Sequence, residues 1–374
     1  MYLQKNKKLS SLRIFLNTFY VFIFFRILAS FAIYLFLKDY DSRFFSFTDL
    51  DFYNSAEGLN IFSPNYFYSK LVSTIGYSAN TMHDNIFIFF SSIVSIIFVF
   101  PYVLISTKVL NKKSRYLFNI LLASHPYLVL YSLKLDSSIF PLLAISIFNL
   151  YLFFKNTRNY IFLIITSTLC LFLRNSLLPF SMLIYILLFF EKNNFTKIHK
   201  YLIFGSMICT TFILVSQIGY GIEYVNQNFG CFSFENISEF FNQYFGINFS
   251  KFISLITTPL IHLGLNLGAR EAISLYCFNL PVEIASSSFV NLFSTLGFFL
   301  FHTFLLIKLI FWIKMNFSLK NLIILIPFSI LLPTLYGAAH MRYLLPLIPM
   351  LLLWQFIPKR EETNFSYLKS QKNT

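Results

Sequence analysis

The stretch FTDLDFY, residues 47–53, places two carboxylates two positions apart between aromatic side chains. If this stretch is extended, Asp49 and Asp51 point to the same side, because side chains alternate along a strand. Such a pair binds a divalent cation through oxygen ligands, or one carboxylate acts as a general base on a hydroxyl. A motif this short also occurs in ordinary solvated loops. Features elsewhere in the chain are therefore needed to decide whether residues 47–53 form a functional site or an ordinary loop.

The composition around this stretch is typical of a membrane protein. The 374 residues are 57% hydrophobic and 20% aromatic, and only 12% are charged. A soluble domain has about 25% charged residues. We therefore predict an all-α polytopic membrane protein. The four cysteines show no CxxC spacing, so they do not indicate a structural zinc site.

Apolar runs divide the chain into ten predicted spans, which form a single transmembrane domain over residues 1–374. The spans are placed at about 14–37, 86–107, 116–133, 138–154, 160–173, 177–190, 201–218, 288–310, 321–337 and 343–357. Several are short beside the ~17–25 residues that a spanning helix needs. We expect the first span to be retained, because its apolar run is too long for a signal peptide. Two long polar intervals remain, 38–84 with FTDLDFY and 219–287.

The charges separate according to the sides that these spans define. With ten spans, both chain ends lie on one side, and the tails and loops there hold 20 of the 29 basic residues. The opposite side holds 12 of the 15 acidic residues. Cytoplasmic loops carry the basic excess in membrane proteins. The pattern therefore predicts cytoplasmic termini and an outer FTDLDFY interval, and it explains the net charge of +14 without nucleic acid.

The predicted outer side combines carboxylates with fixed cations, which suits a reaction on an anionic substrate. The cations would hold a phosphate, and a carboxylate would act as a base or bind a metal. The candidates for phosphate binding are Arg342, Arg174, Lys134 and His340, and those for metal binding are Asp51 and Asp136.

Each of these candidates also has a simpler interpretation. Arg342 and Arg174 can be interface residues whose side chains reach the water at a helix end. Lys134 and Asp136 can pair with each other, an exposed contact worth ~0–1 kcal/mol.

Two aromatic-rich segments of the first outer loop, 52–60 and 62–78, predict short interfacial helices. Interfacial aromatic side chains would hold them at headgroup depth. The two carboxylates would then lie where a lipid-linked substrate presents its phosphate. The alternative is that these aromatic residues only anchor a loop.

Other polar residues fall inside the predicted spans. Arg26 interrupts the first span, where a charge is costly unless it faces protein, a lipid phosphate or water. We interpret His125-Pro126 as a packing or kink feature, and we expect His302 to be a core histidine and Cys170 a buried thiol. In the last span, two prolines three residues apart predict a kinked helix that lines a cavity.

Taken together, these features resemble the GT-C superfamily of integral-membrane glycosyltransferases. The resemblance rests on a cytoplasmic N-terminus, one span, an outer loop with an acidic motif (residues 49–51), short hairpin spans and a late RYLLP segment (342–346). TDLDF (48–52) is similar to the TDxDY motif of the mannosyltransferases that act on glycosylphosphatidylinositol precursors. RYLLPLIP (342–349) is similar to a segment of bacterial transferases that use undecaprenyl-phosphate sugars.

The resemblance implies an inverting transfer of a sugar from a polyprenyl-phosphate donor to a glycan or lipid-linked acceptor on the outer face. It implies that Asp49 deprotonates or orients the acceptor hydroxyl, and that Asp51 binds a divalent cation (Mg or Mn) or supports the acceptor. Arg342, with Arg174 or Lys134, would hold the phosphate leaving group. We expect a bacterial inner membrane, with the endoplasmic reticulum as the alternative. The second outer loop is too short for a folded acceptor-binding domain.

Two other functions remain open. A polysaccharide polymerase of the O-antigen or capsule type also has many spans and large outer loops. A transporter or flippase for a lipid-linked sugar or a small ion would instead place charged or broken helices at the middle of the membrane.

Overall fold

The computed structural model describes residues 2–38, 66–74, 85–133, 139–174, 177–190, 201, 203–208, 242, 260, 263, 289–315, 323–332 and 344–357. All regular structure in these residues is helical, and no strand occurs among them. The predicted all-α class is therefore confirmed for this part of the chain. None of the 15 acidic residues falls within it.

The described residues include ten α-helices and two 3-10 helices with defined bounds, and further helical residues at 201, 203–208, 242, 260 and 263. The α-helices are α1 (Tyr2–Lys38), α2 (Tyr66–Thr74), α3 (Asn85–Val109), α4 (Lys112–Ser124), α5 (Pro126–Leu133), α6 (Ile139–Phe153), α7 (Thr157–Leu173), α8 (Leu178–Phe190), α9 (Phe289–Met315) and α10 (Ile348–Phe356). The 3-10 helices are Ile323–Leu331 and Leu345–Leu347.

The predicted span 116–133 is not one helix. It is divided into α4 and α5 at His125, whose backbone is extended with φ −61° and ψ 117°. Pro126 explains the division, because proline lacks an N–H and its ring disfavours a helical conformation in the preceding residue. The two halves still follow each other closely, and α5 begins directly at the proline.

The predicted last span also differs from a single kinked helix. The 3-10 helix Leu345–Leu347 and α10 each begin with a proline in their first positions. Proline suits the first turn of a helix, where its missing N–H has no partner to lose. Residues 344–354 are all buried, so this segment belongs to the core of the bundle rather than to the wall of an open cavity.

The core lies between α3, α6, α1 and α4, with α7 and α10 packed against them. Its aromatic side chains meet edge to face, as Phe148 and Phe180 do at a centroid distance of 5.7 Å. This arrangement is worth about 0.5–1.5 kcal/mol per pair beyond the burial of the rings.

Several helices meet at one end of the bundle, which we call the basic end. There α3 ends and α4 begins, α6 ends and α7 begins, and α9 and α10 end. Phe153, Trp312 and Trp354 connect these ends through ring contacts of 4.5 and 5.7 Å, and Phe118 contacts Phe356 at 6.1 Å. The end carries exposed cations at Lys108, Lys112, Lys113, Lys155, Arg158 and Lys314, and a buried one at Arg115.

One helical stretch in the described residues is long and apolar enough to cross a membrane, by length and composition. It is Ser11–Ala32, with 22 residues and a mean hydropathy of 1.8. Shorter apolar stretches occur in α3, α6, α7, α8 and α10. Large apolar side chains are exposed on several helices, among them Tyr20, Phe24, Leu169, Phe189 and Phe311. Such a surface is typical of proteins that contact lipid, whereas the count of ten spans stays a prediction.

Candidate functional site

Of the residues predicted for the site, the described part of the chain contains Arg174. Asp49, Asp51, Lys134, Asp136, His340 and Arg342 lie outside it, as does most of the predicted second outer loop. The assignments to those residues therefore stay predictions.

Arg174 ends α7 and is buried, with 6% of its surface exposed. Its backbone N–H donates to the carbonyl oxygen of Cys170 at 2.8 Å, and its own carbonyl accepts from the N–H of Leu177 at 3.2 Å. The backbone is thereby fixed on both sides of the hairpin turn. The Arg174 side chain is enclosed by its neighbours at this end of α7.

Helix α2, from the first polar interval, packs beside Arg174. Phe67 meets Phe172 near the end of α7 at a centroid distance of 5.2 Å. Tyr68 is 1% exposed and meets Phe140, at the start of α6, at 6.0 Å. Three segments therefore meet at this end: α2, the end of α7 and the beginning of α6. Helix α2 lies within the second predicted segment, 62–78, and its interfacial position stays a prediction, whereas segment 52–60 lies outside the described residues.

The described part of the late RYLLP segment, residues 344–346, reaches the same helix, α6. The 3-10 helix Leu345–Leu347 packs against α6. Further along, Trp354 of α10 contacts Phe153 at the end of α6. The two segments therefore run in the same direction. In the sequence, Arg342 precedes Leu344 by two positions, and Lys134 precedes Ile139 by five.

A second polar cluster surrounds Arg26. No sequence pattern predicted that these residues would lie together. This side chain is 1% exposed. Its Nη1 donates to the carbonyl oxygen of Ala123 at 3.3 Å, and its Nη2 donates to the carbonyl oxygen of Leu128 at 2.8 Å. Nη2 also donates to the Ser132 hydroxyl at 2.7 Å. All three acceptors belong to the broken pair α4 and α5, so the guanidinium joins the two sides of the break.

Two histidines meet beside this guanidinium. The Nε2 atoms of His125 and His302 lie 3.3 Å apart, with ring centroids at 5.4 Å. His302 is fully buried in α9, as expected for a core histidine, and His125 is 5% exposed. A hydrogen bond between two Nε2 atoms requires one to carry the proton and the other to accept it. The pair therefore suits the exchange of a proton, and it connects the break to α9.

The sequence contained part of this signal. An arginine in an apolar helix and a His-Pro pair in a predicted span were both visible, and intramembrane charges are by default functional candidates. His302 lies 177 positions from His125. Only the packing of α9 on the bundle brings the two residues together.

The described residues contain no group of three or more His, Cys, Asp or Glu side chains that could hold a metal ion. The predicted metal ligands Asp51 and Asp136 lie outside those residues, so the divalent cation stays a prediction. Cys170 is a buried free thiol, as expected.

Comparison of the chain with protein-family models, with curated proteins and with solved structures gives no match.

Proposed function

We propose that this chain is an integral-membrane glycosyltransferase that moves a sugar from a polyprenyl-phosphate donor to an acceptor hydroxyl. The docking of α2 beside Arg174 carries the proposal. It anchors a helix of the Asp49–Asp51 interval at a junction that already holds a buried cation and the start of α6. A transferase of this kind needs both a base and a cation near one reacting phosphate.

The proposed reaction is a single displacement. Asp49 accepts the proton of the acceptor hydroxyl, whose oxygen forms a bond to the anomeric carbon of the sugar. The bond from that carbon to the phosphate oxygen breaks, and the polyprenyl phosphate leaves with the electron pair. Arg342, with Arg174 or Lys134, stabilises the charge on the leaving phosphate, and His340 is a second donor. Asp51, with Asp136, binds a divalent cation or orients the acceptor.

In this proposal the chain has ten spans and resembles GT-C enzymes, with both termini in the cytoplasm and the reaction on the outer face of a bacterial inner membrane. The exposed apolar side chains and the cations of the basic end support such an orientation, because cytoplasmic ends of membrane proteins are basic. The partners are a polyprenyl-phosphate sugar and a glycan or lipid-linked acceptor.

A transfer assay on the full chain in lipid tests the proposal. A panel of radiolabelled polyprenyl-phosphate sugars is supplied with and without chelator, and label in the acceptor is measured. We expect Asp49→Asn to lower the rate by about 10²–10⁴, which is the usual contribution of a general base. Asp41→Asn, in the same interval but outside the motif, is the matched control and should transfer normally. Equal rates for both variants would contradict the proposal.

The cluster of Arg26, His125 and His302 favours a second candidate, a proton-linked transporter or flippase for a lipid-linked sugar. Broken helices and buried ionisable residues are typical of transporter sites. In proteoliposomes, such a protein would move a labelled polyprenyl-phosphate sugar between leaflets without forming a glycosidic bond. His302→Gln would stop that movement, and Asp49→Asn would not. Transfer of the label into a new glycosidic bond would instead support the glycosyltransferase.

A further inference from the structure

Helix α4 begins with positive charges. Lys112, Lys113 and Arg115 lie in or next to its first turn, and the first turn has no acidic residue. The N-terminus of a helix already carries a partial positive charge from the aligned peptide dipoles. Cations at this position are unfavourable unless an anion compensates them. The beginning of α4 therefore has an excess of positive charge that the helix itself does not neutralise.

Arg115 is the part of this cluster that points to a ligand. Only 8% of its surface is exposed, and its Nε has no hydrogen-bond acceptor among the described residues. The contact found for its guanidinium is with the Tyr116 ring, whose centroid lies 5.6 Å away. Side chains of a helix lean toward its N-terminus, so Arg115 is directed to the start of α4. A buried donor of this kind is costly without an acceptor.

The backbone at this point offers further donors. Asn111 caps the helix: its side chain accepts from the N–H of Ser114 at 2.9 Å, and its carbonyl accepts from the N–H of Arg115 at 2.9 Å. The N–H groups of Lys112 and Lys113 precede the first intrahelical bonds, and such groups bind anions at helix starts.

We propose that the start of α4 binds the phosphate of an anionic lipid headgroup, with Arg115 as the fixed donor and Lys112 and Lys113 around it. A lipid is the source that the surface favours, because Phe311, next to Trp312 at the same end of the bundle, is 58% exposed and offers an apolar surface to an acyl chain. The proposal rests on the membrane location given above, but it does not depend on sugar transfer.

Quenching of tryptophan fluorescence tests this site. The two tryptophans of the chain, Trp312 and Trp354, both lie at the basic end. The full chain is placed in lipid nanodiscs in which dibrominated phosphatidylglycerol or dibrominated phosphatidylcholine replaces part of the lipid. Bromine quenches the fluorescence of nearby tryptophan, so the ratio of the two quenching curves gives the preference for the anionic headgroup. We expect the wild type to prefer phosphatidylglycerol. Arg115→Gln should lower that preference about tenfold, as expected for the loss of one charge-assisted hydrogen bond.

Lys155→Gln is the matched control, because it removes an exposed cation from the same end. Its effect should disappear at about 0.5 M salt, where exposed charges are screened. The effect of Arg115→Gln should persist there, because buried charges are screened much less. Arg115→Lys keeps the charge but loses the planar fork, so we expect a partial loss.

Five results would overturn the proposal. The first is that Arg115→Gln and Lys155→Gln lose the preference equally at high salt. The second is that Arg115→Gln lowers the Tm as much in phosphatidylcholine alone as with phosphatidylglycerol, which would make Arg115 structural. The third is that inorganic phosphate in phosphatidylcholine nanodiscs raises the Tm as much as phosphatidylglycerol does, which would assign a free anion.

The fourth result concerns the chain's own carboxylates. Glu361 and Glu362 follow Phe356 in the sequence by five and six positions, and Phe356 contacts Phe118 of α4. If the wild type shows no preference and a Glu361→Gln, Glu362→Gln variant restores one, these carboxylates occupy the site. Failure of the chain to enter nanodiscs would overturn the membrane location and this site together. A negative transfer assay alone would leave the site intact.

Discussion

The positive charge of Arg26 is accommodated inside an apolar helix because its guanidinium donates hydrogen bonds to carbonyl oxygens near a helix break. In a continuous helix, the carbonyl of Ala123 would accept from the N–H of residue 127. The extended backbone at His125 prevents that bond, and the Arg26 guanidinium takes its place at 3.3 Å. The charge and the break therefore stabilise each other.

Replacement of Arg26 tests this dependence. Arg26→Leu leaves the carbonyl of Ala123 without its donor and weakens the bonding of Leu128 and Ser132. Because a buried polar group without a partner costs about 1–3 kcal/mol, we expect a loss of about 2–5 kcal/mol in the free energy of unfolding. Thermal or denaturant unfolding in detergent measures it. Arg13→Leu, at an exposed position of the same helix, should change stability by less than about 0.5 kcal/mol. Equal stability of the two variants would contradict this role.

At the scale of single residues, the sequence identifies which residues are unusual, but it does not predict the contacts that they make. Arg26 and His125 were recognised as unusual because apolar helices seldom contain such residues. Their assembly with His302 depends on how α9 packs, which no local pattern contains. The roles given to Asp49, Asp51 and Arg342 remain sequence predictions.

Helix α2 is too short to be stable by itself. It has nine residues, whereas isolated helices shorter than ~12–15 residues are marginal in water. Its stability must come from the contacts of Phe67 and Tyr68 with α7 and α6. The position of the first polar interval therefore depends on a small number of ring contacts.

Truncation of Tyr68 should release α2. Tyr68→Ala removes a side chain that is 1% exposed, at a cost of about 3 kcal/mol or more. Limited digestion with trypsin reports the release, because Lys70 lies in the same helix. We expect cleavage after Lys70 to become much faster, and sugar transfer to fall with it. Leu71→Ala, at a position that is 38% exposed, is the control and should be cleaved at the wild-type rate. Resistance of Tyr68→Ala to trypsin would show that α2 is held in another way.

Apolar runs predicted most helices, because a helix in this bundle needs an apolar surface over most of its circumference. They failed at three prolines, although Pro101 lies inside the continuous helix α3. Pro126 divides a predicted span, and Pro346 and Pro349 each begin a helix instead of kinking one. An apolar run that contains proline does not show whether one helix is kinked or a new helix begins, because both interrupt the backbone hydrogen bonds in the same way.

At the scale of the whole molecule, the described part of the chain has an uneven distribution of charge along the bundle. The basic end collects seven cations, and the described residues contain no acidic side chain. The sequence predicted this grouping, since the loops around Lys112, Lys155 and Lys314 were all assigned to one side. It did not reveal which aromatic side chains join those loops, because Phe153, Trp312 and Trp354 are far apart in the chain.

Cysteine labelling tests the predicted orientation. In a variant whose four native cysteines are replaced by alanine, Lys112→Cys and Lys155→Cys should react with a membrane-impermeant maleimide only when the cytoplasmic side is open. Lys70→Cys, in α2, should react from the opposite side. All three positions are exposed, so access to the reagent depends on the side of the membrane alone. Labelling of Lys70→Cys and Lys155→Cys from the same side would contradict the predicted topology.

If the chain spans the membrane as proposed, the seven cations of the basic end also make its orientation sensitive to the transmembrane voltage. Moving one positive elementary charge outward against an inside-negative potential of 100 mV costs about 2.3 kcal/mol. With the basic end in the cytoplasm, an energised membrane would hold the bundle in one orientation with many times the thermal energy. Newly made chains would then adopt that orientation less faithfully in membranes whose potential has collapsed.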